Sequence, residues 1–325
     1  MGLALDSLGT AALAAWTPVR VRAKTGEIDW ALLDEPFIEP FFEQTADRAM
    51  QHPFNLAFAR RTPLAVLDRC ADVPGIAPTG FVFHMSRCGS TLIAQMLARL
   101  SQTIVLSEPQ PIDALLRLRG RGIDDCTLIA WLRAMIGALA QPRRGEQRLF
   151  VKFHAWHVLE LPFIARAYPD VPWIFVFREP RAVLASQARN PGAEVVNGTI
   201  DPAFLGIDHA AVYEIAPAEY AARALAAFCE AALQHPGLGR SAFVDYATLP
   251  QSVVSELLGF FGVGANAADI GRMRTVTQRE AKDAESSPFL GRPPERDASG
   301  DVDRLAARWL DAPFAALRAR AGAPG

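Results

Sequence analysis

The chain of 325 residues has no excess of charge of either sign. Its 33 basic side chains stand against 35 acidic ones, which gives a net charge of −2 at pH 7. A protein that binds long nucleic acids or an anionic membrane surface needs a clustered excess of Lys and Arg. We therefore expect neither nucleic acid nor membrane as a partner, and any anion must be bound at a local site.

The chain also has few cysteines and no long apolar run. Its four cysteines are too few for a disulfide scaffold and too irregularly spaced for a zinc site, which fits a reducing compartment. The apolar residues 1–16 carry Asp6 where a secretory signal is positively charged, and no run reaches about 18 uncharged apolar residues. These observations predict a cytoplasmic protein without a membrane span.

Lysine is the scarcest charged residue. Lys24, Lys152 and Lys282 are the three lysines, beside 30 arginines. Because this sequence uses Arg by default, a retained lysine favours a role for a compact point charge on a flexible stem. Coding bias is the alternative explanation for any one of them.

From Thr79 onward, short apolar runs alternate with helical segments. This pattern predicts an α/β fold with a central, mostly parallel sheet covered on both faces. We assign residues 76–325 to this domain and residues 1–75 to a helical N-terminal extension. The predicted strands are Gly80–Met85, Thr103–Leu106, Leu149–His154, Trp173–Arg178 and Ser241–Tyr246.

The segments outside this alternation differ in character. In the extension, Asp29–Leu33 and Phe41–Met50 are predicted as short helices. Asn190–Pro202 and Ala281–Ser299 lack periodicity, and loops of that length inside a domain are usually functional or disordered. A final helix is predicted over Val302–Arg320.

The clearest motif follows the first of these strands. The run Ser86-Arg87-Cys88-Gly89-Ser90-Thr91 places a glycine, hydroxyls and a cation at the start of a helix, where unpaired backbone N–H groups and the helix dipole favour an anion. It predicts a phosphate or sulfate cradle. It is not a Walker A loop, because Arg87 precedes the glycine and no Lys follows it. The alternative is a plain strand–helix turn with Ser90 as its N-cap.

A second motif lies in Trp173–Ser186. Arg178 ends a predicted strand, where ligands bind in open α/β sheets, and Pro180 begins a helix. Ser186 lies about two turns into that helix, so Arg178 and Ser186 are positioned to bind one phosphate.

Together, the two motifs resemble the sulfotransferases, which transfer a sulfuryl group from 3′-phosphoadenosine 5′-phosphosulfate (PAPS). The resemblance covers about residues 79 to 320 and implies a P-loop-like three-layer domain with PAPS as co-substrate. It implies that residues 86–91 bind the 5′-phosphosulfate and that Arg178 and Ser186 bind the 3′-phosphate. Cys88 departs from the family pattern, which has serine there.

The resemblance extends to the catalytic residues. Leu149–His154 is similar to a strand whose lysine, here Lys152, stabilises the sulfuryl group during transfer, and in one branch a histidine at the position of His154 is the base. Glu108 follows Arg87 by 21 residues, as in the tyrosylprotein branch, which keeps a catalytic Glu. The implied catalytic residues are Glu108, Lys152, Arg87 and His154. The resemblance therefore leaves two candidates for the general base, Glu108 and His154.

Glu108 is favoured as the base, because a Glu-Pro at a strand end is expected to be extended and to aim the carboxylate at the sheet edge. A helix-dipole acid before the next helix is the alternative. His157 is expected to cap or to pack beside Trp156, and His84 alternates within the first predicted strand, so neither is expected to take part in the reaction. Asp245-Tyr246 resembles the family's strand ending in Tyr-Glu, with Ala247 at the Glu position.

The resemblance also places Lys282 in a loop that folds over the nucleotide, although a flexible surface loop is equally compatible with its sequence. The expected function is transfer of a sulfuryl group to a hydroxyl or amine of a small-molecule or peptide acceptor, without a metal. One alternative is a P-loop kinase or nucleotide hydrolase, which needs a Walker lysine and a magnesium acid. Another is a non-catalytic nucleotide-binding module, in which Glu108 and His154 both point away from the cradle. The acceptor and the oligomeric state are not encoded in any motif.

Overall fold

The computed structural model describes residues 13–72, 75–235, 237–277 and 300–321. These residues form two sheets. The strands in chain order are β1 (Trp16–Arg22), β2 (Glu27–Leu32), β3 (Arg60–Pro63), β4 (Pro78–His84), β5 (Thr103–Ser107), β6 (Arg148–Lys152), β7 (Trp173–Phe177) and β8 (Ser241–Asp245).

The central sheet has five strands in the order β5-β6-β4-β7-β8, and every neighbouring pair is parallel. All five predicted strands are confirmed, each end lying within two residues of its predicted position. Continuous apolar runs form these strands because both faces are covered, and in β7 every residue is buried. The predicted α/β class with a parallel central sheet is therefore confirmed.

Helices lie between and after the strands. They are α1 (Phe42–Gln51), α2 (Pro53–Ala57), α3 (Ser90–Leu97), α4 (Gln110–Leu116), α5 (Asp125–Leu139), α6 (Leu161–Ala167), α7 (Pro180–Arg189), α8 (Pro217–Gln234), α9 (Leu258–Phe260), α10 (Ala267–Val276), α11 (Gly300–Leu305) and α12 (Asp311–Ala321). Short 3₁₀ turns span Leu64–Asp72, Ala155–Glu160, Ala193–Val195, Pro202–Leu205 and Tyr246–Thr248, and π-helical turns span Val253–Leu257 and Ala306–Leu310. The predicted final helix is therefore two helices joined by a π-helical turn.

The N-terminal extension is less helical than the sequence predicts. The helix predicted at Phe41–Met50 is confirmed as α1, but the one at Asp29–Leu33 is wrong, because all of these residues except Leu33 belong to β2, the middle strand of an antiparallel sheet. Asp29 forms ion pairs with Arg22 of β1 (2.6 Å) and Arg61 of β3 (2.8 Å). Pairing with strands distant in sequence overrides the weak local preference of so short a segment.

Amide side chains join the extension to the central domain. Gln110 donates to the carbonyl of Val21 (3.0 Å) and accepts from its N–H (2.8 Å), and Gln141 makes the same kind of contacts to Ala15 and Trp16. These contacts hold β1 against α4 and α5. The proposed boundary between residues 75 and 76 stays a prediction. In the part of the chain described, no helix is long and apolar enough to cross a membrane.

Candidate active site

The carboxyl ends of all five central strands carry polar or aromatic residues from the sequence motifs. Because the strands are parallel, these ends meet at one edge of the sheet, where ligands of open α/β sheets bind. Across that edge the order is Glu108 after β5, Lys152 at the end of β6, the loop 86–89 after β4, Arg178 after β7 and Tyr246 after β8.

The loop between β4 and α3 has an unusual backbone. Ser86, Arg87 and Gly89 have φ angles of +73°, +50° and +85°. Left-handed conformations cost energy in residues other than glycine and concentrate at functional sites. A Cβ on Gly89 would lie 2.8 Å from the ring of Tyr246, so glycine alone fits there.

The first turn of α3 opens into this loop. Gly89 is at the N-cap position, and no side chain among the described residues caps the helix. The interpretation of this segment as a turn capped by Ser90 is therefore wrong, because Ser90 is the first helical residue. Ser90 and Thr91 are both buried in this first turn. The backbone N–H groups of this turn are the ones that a helix start offers to an anion.

The side chains of the loop face different ways. The Cys88 thiol is buried and donates to the carbonyl of Val176 (3.1 Å), and burial raises its pKa to about 11, so it is a protonated core residue. This leaves only the backbone of Cys88 to contact an anion. Arg87 donates to the carbonyl of Asn190 (2.5 Å), which directs its guanidinium toward the loop after α7.

Arg178 lies on the other side of the loop. Its guanidinium stacks over the ring of Tyr246, 4.2 Å from the centroid, and donates to the carbonyl of Arg87 (3.4 Å). Ser186 is half-buried in the second turn of α7. That Arg178 and Ser186 bind one phosphate stays a prediction. Lys282 lies outside the described residues.

Glu108 is surrounded by three cationic or imidazole side chains. Lys152 donates from Nζ to Oε1 of Glu108. Nε2 of His84 lies 3.4 Å from the same oxygen, and Nδ1 of His154 lies 3.4 Å from Oε2. The structure thus brings together Glu108, Lys152 and His154, all predicted as site residues, and adds His84, which the sequence analysis set aside.

The charges of this group depend on its burial. Burial by itself raises the pKa of Glu108, but the charge of Lys152, the hydrogen bond from His84 and the nearby His154 outweigh it and hold the pKa well below its usual value. Burial and the charge of Lys152 lower the pKa of His84. At neutral pH the site therefore holds a carboxylate beside a neutral His84.

The backbone at Glu108 corrects a sequence prediction. A residue before proline is expected to be extended, but Glu108 has a φ of +55°. Its N–H donates to the carbonyl of Lys152 (2.7 Å), while its carboxylate accepts from Nζ of the same residue. These two contacts hold a backbone conformation that the local sequence disfavours.

A second buried cluster lies behind His154. Asp113 accepts from Nε1 of Trp156 (2.8 Å) and lies 3.1 Å from Nε2 of His157. The rings of Trp156 and His157 are 4.5 Å apart, so the expected packing of His157 beside Trp156 is confirmed. Burial lowers the pKa of His157 to about 4.

Two further residues at the site escaped the sequence analysis. Gln187, one residue after Ser186, donates to Oγ of Ser86 (3.0 Å). Phe41, at the start of α1, has its ring 5.5 Å from Nζ of Lys152. The predicted helix start near Phe41 was the available signal, but nothing local links it to a strand end distant in sequence. In the described part of the chain, no cluster of His, Cys, Asp and Glu could hold a metal ion.

No protein-family model and no curated protein matches this sequence. Among solved structures, the chain is similar to a sulfotransferase from Mycobacterium avium, with 13% identity, 82% of each chain covered and a TM-score of 0.48. It is also similar to the sulfotransferase domain of the Synechococcus olefin synthase, with 17% identity, 73% of this chain and 96% of that domain covered and a TM-score of 0.41.

A third similar structure is a sulfotransferase from Alicyclobacillus acidocaldarius, with 16% identity, 77% of this chain and 97% of that chain covered and a TM-score of 0.44. All three superpositions are partial and the identities are low.

Proposed function

We propose that this protein is a sulfotransferase that moves a sulfuryl group from PAPS to a hydroxyl or amine of a small-molecule or peptide acceptor. The proposal rests on one observation, that the groups needed for this reaction lie along the same edge of the central sheet. At this edge the loop 86–91 after β4, which we propose as an anion cradle, lies beside Lys152 on the adjacent strand β6, and Glu108, the partner of Lys152, follows the next strand, β5. His84 contacts both Ser86 of the loop and Glu108.

The residues at this edge suit the two anionic groups of PAPS. The left-handed loop and the uncapped first turn of α3 suit the 5′-phosphosulfate. Arg178, whose guanidinium is held over Tyr246, suits the 3′-phosphate together with Ser186, and Lys282 is proposed as a further contact. The guanidinium is fixed by stacking before any ligand arrives, which reduces the entropy cost of binding.

Bound PAPS would supply an activated sulfuryl group whose S–O bond to the 5′-phosphate breaks, leaving the electron pair on the phosphate oxygen. Arg87 and Lys152 provide positive charge where negative charge develops. Glu108 removes the acceptor proton while the acceptor atom forms its new bond to sulfur. His154, 3.4 Å from the other oxygen of Glu108, is the alternative base.

The contact between Lys152 and Glu108 favours these roles, in which Lys152 stabilises the transferred group and Glu108 is the base. Lys152 contributes to the low pKa of Glu108. When Nζ turns from Glu108 toward the transferred group, that stabilisation of the carboxylate weakens and its affinity for a proton rises. The site would thus make a stronger base at the moment when the acceptor proton is released.

In a non-catalytic nucleotide-binding module, Glu108 and His154 would both point away from the cradle. Glu108 instead contacts the same imidazole that binds the cradle residue Ser86, which favours an enzyme. No observation in the described residues favours a kinase or nucleotide hydrolase over the sulfotransferase. We also propose a cytoplasmic location, supported by the sparse and irregular cysteines.

The test is calorimetric binding of 3′-phosphoadenosine 5′-phosphate (PAP) and of ATP, each with and without magnesium. We expect PAP to bind without magnesium and more tightly than ATP. Magnesium-dependent ATP binding without PAP binding would overturn the proposal in favour of the kinase class. Transfer from ³⁵S-labelled PAPS to a panel of alcohols, phenols and amines then identifies the acceptor class.

A further inference from the structure

His84 connects the anion cradle to Glu108 through its two ring nitrogens. The backbone N–H of Ser86 donates to Nδ1 of His84 (3.0 Å), so Nδ1 carries no proton and the ring proton is on Nε2. Nε2 lies 3.0 Å from the carbonyl of Phe153 and 3.4 Å from Oε1 of Glu108. The backbone donor therefore determines the tautomer, in which the single ring N–H donates to the carbonyl of Phe153 and also lies beside the carboxylate.

His84 is 5% exposed, so its partners are protein groups. The charged groups that act on it are Lys152, Glu108 and Glu194. Burial and Lys152 keep the ring neutral, against the opposite effect of the two carboxylates. A neutral imidazole whose Nδ1 already accepts a hydrogen bond is not available as a base, but it can orient a neighbour.

The cradle end of this connection is also fixed. Gln187 donates to Oγ of Ser86 (3.0 Å) and accepts from the N–H of Gly192 (2.8 Å). Ser86 is thus bound through its side chain by Gln187 and through its backbone by His84, and it keeps a φ of +73°. Hydrogen bonds lead from the loop after α7 through Ser86 to His84, whose Nε2 faces Glu108.

We propose that His84 is a positioning residue that holds the carboxylate of Glu108 in register with the donor cradle, an inference that rests on the proposed sulfuryl transfer. Lys152 has to leave Oε1 of Glu108 to reach the transferred group. The Nε2–H of His84 then stays beside Oε1, and Oε2 is left to take the acceptor proton. A misplacement of the base by about 1 Å can cost about 100-fold in rate.

Two substitutions of His84 separate the contributions of its two ring nitrogens. In His84→Asn, the amide oxygen replaces Nδ1 as acceptor for Ser86, and the N–H beside Glu108 is lost. In His84→Gln, the longer side chain restores an N–H near the position of Nε2. We expect kcat to fall about 10- to 100-fold in the Asn variant, with the Kd for PAP unchanged, and to recover in the Gln variant.

The pH profile tests the contact with Glu108 directly. The groups that face Glu108 are Lys152, His84 and His154, with Glu43 of α1 nearby. Removing one hydrogen-bond donor from a carboxylate raises its pKa. The low-pH side of the plot of kcat against pH, here called the acid limb, should therefore move up by about one pH unit in the Asn variant. The Gln variant should return toward the wild-type limb. The exposed His209 provides a matched control as His209→Gln, for which both kcat and the limb should be unchanged.

A purely structural role for His84 would leave the acid limb in place, or lower kcat equally in the Asn and Gln variants. Either result overturns the inference. Long-range ¹H–¹⁵N NMR of the His84 ring is independent of activity, and a proton on Nδ1 would also overturn it. If wild-type protein neither binds PAP nor transfers a sulfuryl group while His84 carries its proton on Nε2, the proposed function fails and the contact itself stands.

Discussion

Lys152 and Glu108 are joined twice, by a backbone hydrogen bond from the N–H of Glu108 to the carbonyl of Lys152 (2.7 Å) and by the contact of Nζ with Oε1. The residue before Glu108, Ser107, is the register partner of Lys152 across β5 and β6. The pairing of β5 with β6 therefore also brings Lys152 and Glu108 together. Lys152 is 1% exposed, so its charge is compensated within the protein.

The first prediction concerns the base. Glu108→Gln keeps the shape of the side chain but cannot take a proton, so kcat should fall by about 10²–10⁴-fold while the Kd for PAP changes little. His154→Gln is the matched comparison, because His154 lies 3.4 Å from the same carboxylate and should cost less. Single-turnover transfer and calorimetry measure the two effects. A larger loss in the His154 variant would move the role of base to His154.

The second prediction concerns Lys152. Lys152→Met removes the charge and keeps much of the buried volume, so kcat should fall more than donor affinity if Nζ acts mainly in the transition state. Loss of the cation also removes the attraction that lowers the pKa of Glu108, so the acid limb of kcat should move to higher pH. An increase in the donor KM alone, with kcat and the limb unchanged, would make Lys152 an ordinary binding residue.

The parts of this site that were predictable lie next to strong local signals. Lys152, Glu108 and Arg178 each end or follow an apolar run, and Pro180 fixes the start of α7 where it was predicted. A parallel sheet brings such strand ends to one edge whatever their distance in sequence. This is why a few local patterns were enough to assemble most of the candidate site.

What could not be predicted depends on contacts between distant segments. His84 ends β4 within an apolar run, and neither its partner Glu108 nor its tautomer is visible in the sequence. The left-handed φ of Glu108 contradicts the preference of residues before proline, and it is held by contacts with β6. The place of Asp29 in β2 depends on pairing with Arg22 of β1 and Arg61 of β3, and no local signal around Asp29 identifies these partners.

The third prediction concerns the 3′-phosphate. Arg178→Ala removes a charge-assisted contact worth about 1.5–3 kcal/mol, so PAP should bind about 10- to 100-fold more weakly. Arg166→Ala is the control, because Arg166 pairs with Asp125 at the surface and should leave PAP affinity unchanged. Calorimetry with PAP and with adenosine 5′-phosphate locates the effect. An equal loss for both ligands would show that Arg178 does not bind the 3′-phosphate.

The fourth prediction concerns the shape of the cradle. Gly89→Ala adds a Cβ 2.8 Å from the Tyr246 ring at a φ of +85°, so it should disturb both the loop and the ring beneath Arg178 and greatly weaken PAP binding. Gly120→Ala is a close control, since Gly120 has a φ of +75° but no atom within 4 Å of the added Cβ. Both variants should lose some stability from backbone strain, of about 1–3 kcal/mol. Equal PAP affinities in the two variants would contradict the proposed clash.

The last prediction concerns stability and pH. The pKa of buried His157 is lowered from 6.5 to about 4, so the unfolded chain binds a proton on this side chain more readily than the folded protein does. Its contribution to stability is therefore complete above the unfolded pKa and is lost as the pH falls toward the folded pKa, amounting to about 2 kcal/mol between pH 7 and pH 5. His84 shifts in the same direction and adds to the slope.

His157→Gln can still donate to Asp113 but has no titrating ring, so the drop in unfolding free energy between the two pH values should be smaller than in the wild type. Urea denaturation at both pH values measures it, and comparing the variant with itself cancels any general loss of stability. An unchanged pH dependence would mean that the His157 ring is protonated as readily in the folded protein as in the unfolded chain. Its place beside Trp156 and Asp113, with no exposed surface, is the physical reason to expect otherwise.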